Sequence, residues 1–159
     1  MQLYIGTSGW SYDHWVERFY PRELKKNEWF PYFAEHFASV ELNMSFYRYP
    51  SVKMLEGWKT KMPAGFRMTF KANRRITHYK KFQGVEREVD RFYDLFEVLG
   101  EKAGCILFQT PASFPCNGRN FAALQSFMGL LDGSHRNVFE FRHGSWWNRE
   151  TAELLRRHN

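Results

Sequence analysis

Six polar residues have the types and positions that chemistry needs: Glu41, Asn43, Lys71, Gln109, Glu140 and Arg142. Each stands in or at the end of a short apolar stretch, as in Val40-Glu41-Leu42-Asn43 and Phe139-Glu140-Phe141-Arg142. Alternation of this kind puts the polar members on one face of a strand. Two carboxylates, Glu41 and Glu140, can share general acid and general base work. Lys71 or Arg142 can hold an anionic group or stabilise developing charge. The plainer reading is an internal salt-bridge layer, Lys71 with Glu41 and Arg142 with Glu140, because removing one partner of a buried pair costs about 3–5 kcal/mol. Four charged positions around one site exceed what a structural layer needs, which favours function.

Further candidates surround this set. In Gly6-Thr7-Ser8-Gly9-Trp10 a glycine-enabled turn can aim backbone amides at an anion, so Thr7, Ser8 and Trp10 are read as substrate-binding. The turn lacks the lysine of a phosphate loop. Arg74, His78 and His143 join Asn43 and Gln109 as substrate-binding candidates. The basic run 71–81 carries Lys71, Arg74, Arg75, His78, Lys80 and Lys81, with Tyr79 among them. It can grip a phosphate backbone while Tyr79 stacks on a base, or it is a solvated loop. Trp10, Trp15, Trp146 and Trp147 flank strand ends, either as a stacking platform or as loop packing. His14, His36, His135 and His158 read as surface residues. Glu41, Glu140, His78 and His143 are possible metal ligands, but no H-x-H or H-x-x-x-H spacing occurs and nearby cations oppose a metal. No metal and no cofactor is expected.

Positioning these residues requires a repeated strand–helix order. The hydrophobic pattern predicts strands over 3–7, 39–45, 66–71, 104–109 and 137–143. Helices are predicted from Asn27, from near Ser51, over 85–99 and over about 120–131, with a last one capped by Asn148. Trp29, Phe33 and Phe37 form one apolar helical stripe; Val85, Val89, Phe92, Phe96 and Leu99 form another. Strict strand–helix alternation implies a parallel sheet with right-handed crossovers. Strands polar on one face favour a TIM-type (β/α) barrel over a doubly wound sheet. Only about five units are present, whereas eight take about 250 residues, so the barrel would be incomplete.

Composition fits one domain spanning 1–159. Hydrophobic residues make up 43%, enough to bury a core, and the 16 Phe, 8 Tyr and 6 Trp suggest wide contact surfaces or a pocket lining. The net charge of +6 suits an anionic partner or simply a soluble basic surface. Cys105 and Cys116 match no zinc spacing; Cys105, in an apolar run, reads as a buried inert thiol. A reducing cytoplasm is expected, without a signal peptide. No apolar run approaches the ~18 residues of a membrane span.

Several multi-residue motifs agree in order with one family. Ile5-Gly6-Thr7-Ser8-Gly9-Trp10, Phe19-Tyr20-Pro21 and Val40-Glu41-Leu42-Asn43-Met44-Ser45-Phe46-Tyr47 closely resemble the DUF72 (YecE-like) family. So do Phe70-Lys71 with Thr77-His78, Gln109 with Pro111, and Glu140-Phe141-Arg142-His143 followed by Ser145-Trp146. The resemblance implies a TIM-type barrel in a cytosolic microbial protein, with no firmly established activity. It also implies a longer chain carrying further strands and polar motifs. The overall expectation is an acid/base enzyme, of hydrolase or isomerase type, for a small polar or anionic substrate. The alternative is a non-catalytic module that binds nucleic acid or an anionic ligand through 71–81. Unpaired sheet edges imply self-association or a C-terminal barrel segment beyond the sequence given.

Overall fold

The computed structural model describes residues 3–158. Five strands, β1 (Gly6–Ser8), β2 (Ser39–Leu42), β3 (Arg67–Lys71), β4 (Ala103–Thr110) and β5 (Asn137–Phe141), pair in parallel in the order of the chain. The order never reverses, so the sheet lacks the switch point of a doubly wound fold. The described residues also form six α-helices, with 3₁₀ and π turns between elements: α1 (Trp29–His36), α2 (Met44–Tyr47), α3 (Val52–Lys59), α4 (Glu86–Glu97), α5 (Gly118–Met128) and α6 (Arg149–Arg157).

One face of the sheet is sealed. Val40, Leu42, Met68, Phe70, Ile106 and Phe108 alternate along their strands and are buried. Phe70 meets Phe92 and Phe96 of α4 at ring distances of 5.6 and 5.3 Å, and Phe108 meets Phe127 of α5 at 5.1 Å. Edge-to-face geometry of this kind adds to plain area burial. The other face carries Ser39, Glu41, Thr69, Lys71, Cys105 and Leu107, all partly exposed, and Val138.

Element ends differ from the sequence pattern for identifiable reasons. The first strand starts at Gly6 rather than Leu3, since Leu3 and Ile5 remain exposed. Gly6 is obligatory: a β-carbon there would sit 1.9 Å from the Ser39 carbonyl oxygen. The second strand stops at Leu42, three residues early, because Asn43 takes helical angles and α2 begins. Residues 26–28 form a 3₁₀ turn, so the first helix starts at Trp29 and not at Asn27. α5 starts at Gly118 rather than near residue 120, because Asn117 caps it, accepting from the Asn120 amide at 2.9 Å. Ser51 and Asn148 cap α3 and α6 as their sequence positions predict. The basic run is no solvated loop. Arg75–Tyr79 makes a π-helical turn anchored by buried Ile76 and Thr77, a local form that tends to occur at functional sites. His135 is not a surface residue: it stacks on Tyr93 at 4.8 Å with its side chain 12% exposed.

Between β3 and β4 the register slips. Met68 pairs with Ala103 and Phe70 with Ile106, so β4 spends three residues where β3 spends two. This is a β-bulge. It turns both Gly104 and Cys105 toward Thr69, whose Oγ1 lies 3.4 Å from Cys105 Sγ and would sit 2.9 Å from a β-carbon on Gly104.

Truncating the sealed face should hurt far more than truncating the open one. Phe70→Ala is expected to cost about 3–5 kcal/mol in urea unfolding, whereas Val138→Ala on the open face should stay within about 0.5 kcal/mol.

Candidate active site

The candidate site is built at the C-terminal ends of the strands on the open face. In the parallel register Ser8 is level with Glu41, and Gln109 with Glu140. Ser8 Oγ donates to Glu41 Oε1 at 2.9 Å, and Asn43 Nδ2 donates to Ser8 Oγ at 2.7 Å. Lys71 Nζ lies 3.8 Å from the same Glu41 oxygen and 5.6 Å from the centre of the Phe46 ring. Across the sheet, Gln109 Nε2 donates to Glu140 Oε2 at 2.7 Å and Arg142 Nε donates to Glu140 Oε1 at 3.1 Å.

A polar stitch holds β2 and β3 in place beneath these groups. Ser45 Oγ lies 2.6 Å from the Leu42 carbonyl and 2.7 Å from the Lys71 carbonyl, and its one proton serves either. Asn73 Nδ2 donates to the Ser45 carbonyl at 3.1 Å, while its Oδ1 accepts from the Arg75 amide at 3.0 Å. The side chains that tie α2 to β3 therefore also start the π turn carrying His78.

The two ion pairs act on one another. Burial pushes the Glu140 carboxyl up, but hydrogen bonds from Gln109 and Arg142 and the charges of Arg142 and Lys71 outweigh it, so its pKa falls below the ordinary value. Glu140 thus stays ionised, with both oxygens engaged. Burial lowers the His78 pKa, helped by Lys71 and Arg142, so its imidazole is neutral. His78 packs its ring on Phe46 at 4.9 Å and shares a hydrogen bond with Thr77 Oγ1 at 2.8 Å. Cys105, half-buried, has its thiol pKa raised by burial and remains a thiol. That suits an inert role.

Several sequence candidates lie elsewhere. Thr7 is level with Val40, on the sealed side, and its hydroxyl donates to the Gly9 carbonyl at 2.6 Å. The Gly9 amide donates to the Glu41 carbonyl at 2.9 Å, so it is spent on the sheet and not free for an anion. Arg74 sits between the rings of Tyr47 and Tyr79, at 5.4 and 5.3 Å. His143 caps the 3₁₀ turn Gly144–Trp146, its Nδ1 2.7 Å from Ser145 Oγ. The four tryptophans form no platform: Trp146 is buried against Phe114 and Phe141, Trp147 is 81% exposed, and Trp15 packs on Phe19.

Trp10 does line a cavity. It is an open hollow of about 360 Å³, lined also by Tyr12, Asn43, Met44 and Trp58. Trp10 is braced by Phe30 at 4.6 Å and Trp58 at 5.2 Å. Its carbonyl accepts from the Tyr20 hydroxyl, whose pKa burial pushes up to about 12. Asn43 joins this cavity to the Ser8–Glu41 pair. Tyr12, Met44, Phe46 and Trp58 were not among the sequence candidates, since no spacing distinguishes them from core aromatics.

The family profile described as "Protein of unknown function DUF72" matches residues 4–159. The chain belongs to the DUF72 family. It is similar to the UPF0759 protein YunF of Bacillus subtilis, 28% identical over 152 residues that cover 92% of this chain and 52% of that protein. The UPF0759 protein YecE of Escherichia coli is likewise 28% identical, over 95% of this chain and 52% of its own length. The DUF72 chain thus spans about half the length of these curated relatives. A crystal structure of a DUF72 family protein from Thermotoga maritima superposes with a TM-score of 0.85 at 32% identity, covering 98% of this chain and 61% of that one. One from Enterococcus faecalis gives 0.66 at 23% identity over 80% of this chain and 53% of its own, a likeness of fold. No helix among the described residues is long and apolar enough to cross a membrane.

Two titrations probe the coupling in this DUF72 chain. Lys71→Met or Arg142→Met should raise the His78 pKa toward its usual 6.5, read from the imidazole proton shifts in NMR. No movement with either variant would mean that the groups do not share a field. For Glu140 the folded pKa is depressed, so its stabilising contribution is complete above the ordinary value of 4.5 and is lost as pH falls through the folded value. Glu140→Gln should flatten the stability curve in that acid window.

Proposed function

We propose that the cluster of Glu41, Lys71, Glu140 and Arg142 is the centre of a metal-independent acid/base enzyme, of hydrolase or isomerase type, acting on a small polar or anionic substrate. The observation that carries this reading is the cross-coupling of two ion pairs, Glu41–Lys71 and Glu140–Arg142, at the strand ends of the face that no helix among the described residues seals. The two carboxylates differ in their hydrogen bonding. Glu140 is held as an anion by three donors or cations and suits electrostatic stabilisation. Glu41 accepts from Ser8 alone on one oxygen, which leaves its other oxygen for proton exchange with a substrate. Lys71 and Arg142 would hold the anionic group, and Ser8, Asn43 and the Trp10 cavity would orient the remainder.

We infer that the sheet is the first part of a TIM-type barrel. One-sided helix cover and the unreversed strand order support this, as does the length of the relatives. In this reading β1 and β5 are edges that further strand–helix units cover, supplied by additional sequence or by a second copy. The chain would work in the cytoplasm.

A second reading, nucleic-acid or anionic-ligand binding through 71–81, draws support from Arg74 between Tyr47 and Tyr79, both exposed by about two-thirds (64% and 66%). Arginine and tyrosine faces of this kind stack on bases.

Screening pooled ester, glycoside and phosphate substrates and isomerisable sugars and acids tests the enzyme reading. Turnover should fall by about 10²–10⁴-fold in Glu41→Gln and also in Glu140→Gln. Binding to an oligonucleotide with a steep salt dependence, unchanged by Glu140→Gln and without turnover, would replace it with the second reading. Light scattering with an apolar-surface dye tests the barrel inference. The 159-residue chain is expected to self-associate or bind dye; a dye-free monomer that unfolds cooperatively would overturn it.

A further inference from the structure

A cleft of about 550 Å³, lined by Tyr49, Arg75, Lys80, Arg87, Glu88 and Arg91, shares no residue with the strand-end cluster. It lies between the π turn and the first turns of α4. We propose that this cleft binds a phosphate group, free or as part of an ester.

Charge is the first argument. Arg75, Lys80, Arg87 and Arg91 face only two carboxylates, Glu86 and Glu88. Glu88 already serves two of the cations: Arg75 Nε donates to it at 2.5 Å and Lys80 Nζ lies 3.5 Å away. The hydrogen bond from Arg75 keeps Glu88 ionised. Arg87 and Arg91 make no salt bridge among the described residues, although Glu86 is at hand. Two guanidinium groups thus line one cavity with their donors uncommitted.

Geometry is the second argument. Arg91 Cζ lies over the Tyr49 ring, 4.4 Å from its centre. Contact with the ring holds the guanidinium in place without using its N–H donors, and a guanidinium fork is the geometry that grips a phosphate. The fork is also pre-ordered, so binding orders less of the side chain.

The third argument is an orphan. The Tyr49 hydroxyl is buried and has no hydrogen-bond partner. Burial, and next the charge of Glu88, raise its pKa, so it keeps its proton. A buried donor without an acceptor is uncommon, and Tyr49 lines the cleft, so a modest shift of its ring would let a phosphate oxygen accept from it. Two guanidinium groups and a hydroxyl donor ask for an acceptor with oxygens in several directions, which a tetrahedral phosphate has and a planar carboxylate lacks. The cleft also exceeds one phosphate in size, leaving room for an ester substituent.

The test is a titration of the ¹⁵N-labelled chain with inorganic phosphate at low ionic strength. Saturating shifts are expected at Arg75, Lys80, Arg87 and Arg91, with Kd of about 1–10 mM. Arg87→Ala/Arg91→Ala should weaken binding by about tenfold or more, as should the milder Arg91→Gln in the same direction. Tyr49→Phe should weaken it by about threefold without lowering the melting temperature. Arg149→Gln, on the exposed surface of α6, should change nothing. Two further probes separate the sources of the phosphate. Glycerol phosphate binding more tightly than oligothymidylate marks a small ester; oligothymidylate binding more tightly, and more weakly after Tyr79→Ala, marks a nucleic-acid backbone. Either outcome supports the site provided Arg91 is required. Linear, unsaturated shifts with all three probes, or binding indifferent to Arg87 and Arg91, would overturn it.

Discussion

The sheet is buried on one side only, and most of the molecule follows from that. On the helix side, alternate residues of β2, β3 and β4 are packed by rings from α4 and α5. The same alternation forces the intervening residues to the other side, where no helix among the described residues seals them. Apolar groups there would gain little, and single charges would be half desolvated. Polar residues that satisfy one another are the stable solution, and Glu41 with Lys71 and Glu140 with Arg142 supply it. Stability and chemistry thus draw on the same groups. Removing one partner leaves the other in a partly dry place, which is also the condition that makes a side chain reactive.

Lys71 has a special position in that arrangement. It pairs with Glu41, lies over Phe46 and lowers the pKa values of His78 and Glu140. One cation therefore touches or biases groups carried by four separate segments. The stitch through Ser45 and Asn73 fixes the backbone from which Lys71 extends. A fixed cation on a fixed strand is pre-organised, and pre-organisation is what gives electrostatic groups their value in a site.

Strand periodicity was the legible part of the sequence. Val40-Glu41-Leu42 and Phe139-Glu140-Phe141 state which residue faces where, and the structure keeps both alternations. Legibility ended where one side chain overrode the pattern. Ser45 continues the alternation of β2 on paper, yet its hydroxyl closes back on the Leu42 carbonyl and a helix starts. The basic run 71–81 looks like a solvated loop if charges are counted, while two buried residues, Ile76 and Thr77, make it a helical turn. Thr7 and the Gly9 amide resemble an anion turn until the register assigns the first to the sealed side and the second to a sheet hydrogen bond. Of the Trp10 cavity only Trp10 and Asn43 could be read, because its walls come from three stretches of chain and its other residues are common in any core.

The extra residue in β4 works as a phase shifter. Below it the strand is in step with Met68; above it, Ile106, Phe108 and Gln109 are set by a count that starts afresh. Losing any one residue from 103–105 would not merely shorten the strand. It would exchange its inside and outside, sending Phe108 among the charges and drawing Gln109 away from Glu140. In the lower part of β4, then, the number of residues matters as much as their identity: Gly104 must stay small beside Thr69, and the count from 103 to 106 decides which way every later side chain faces.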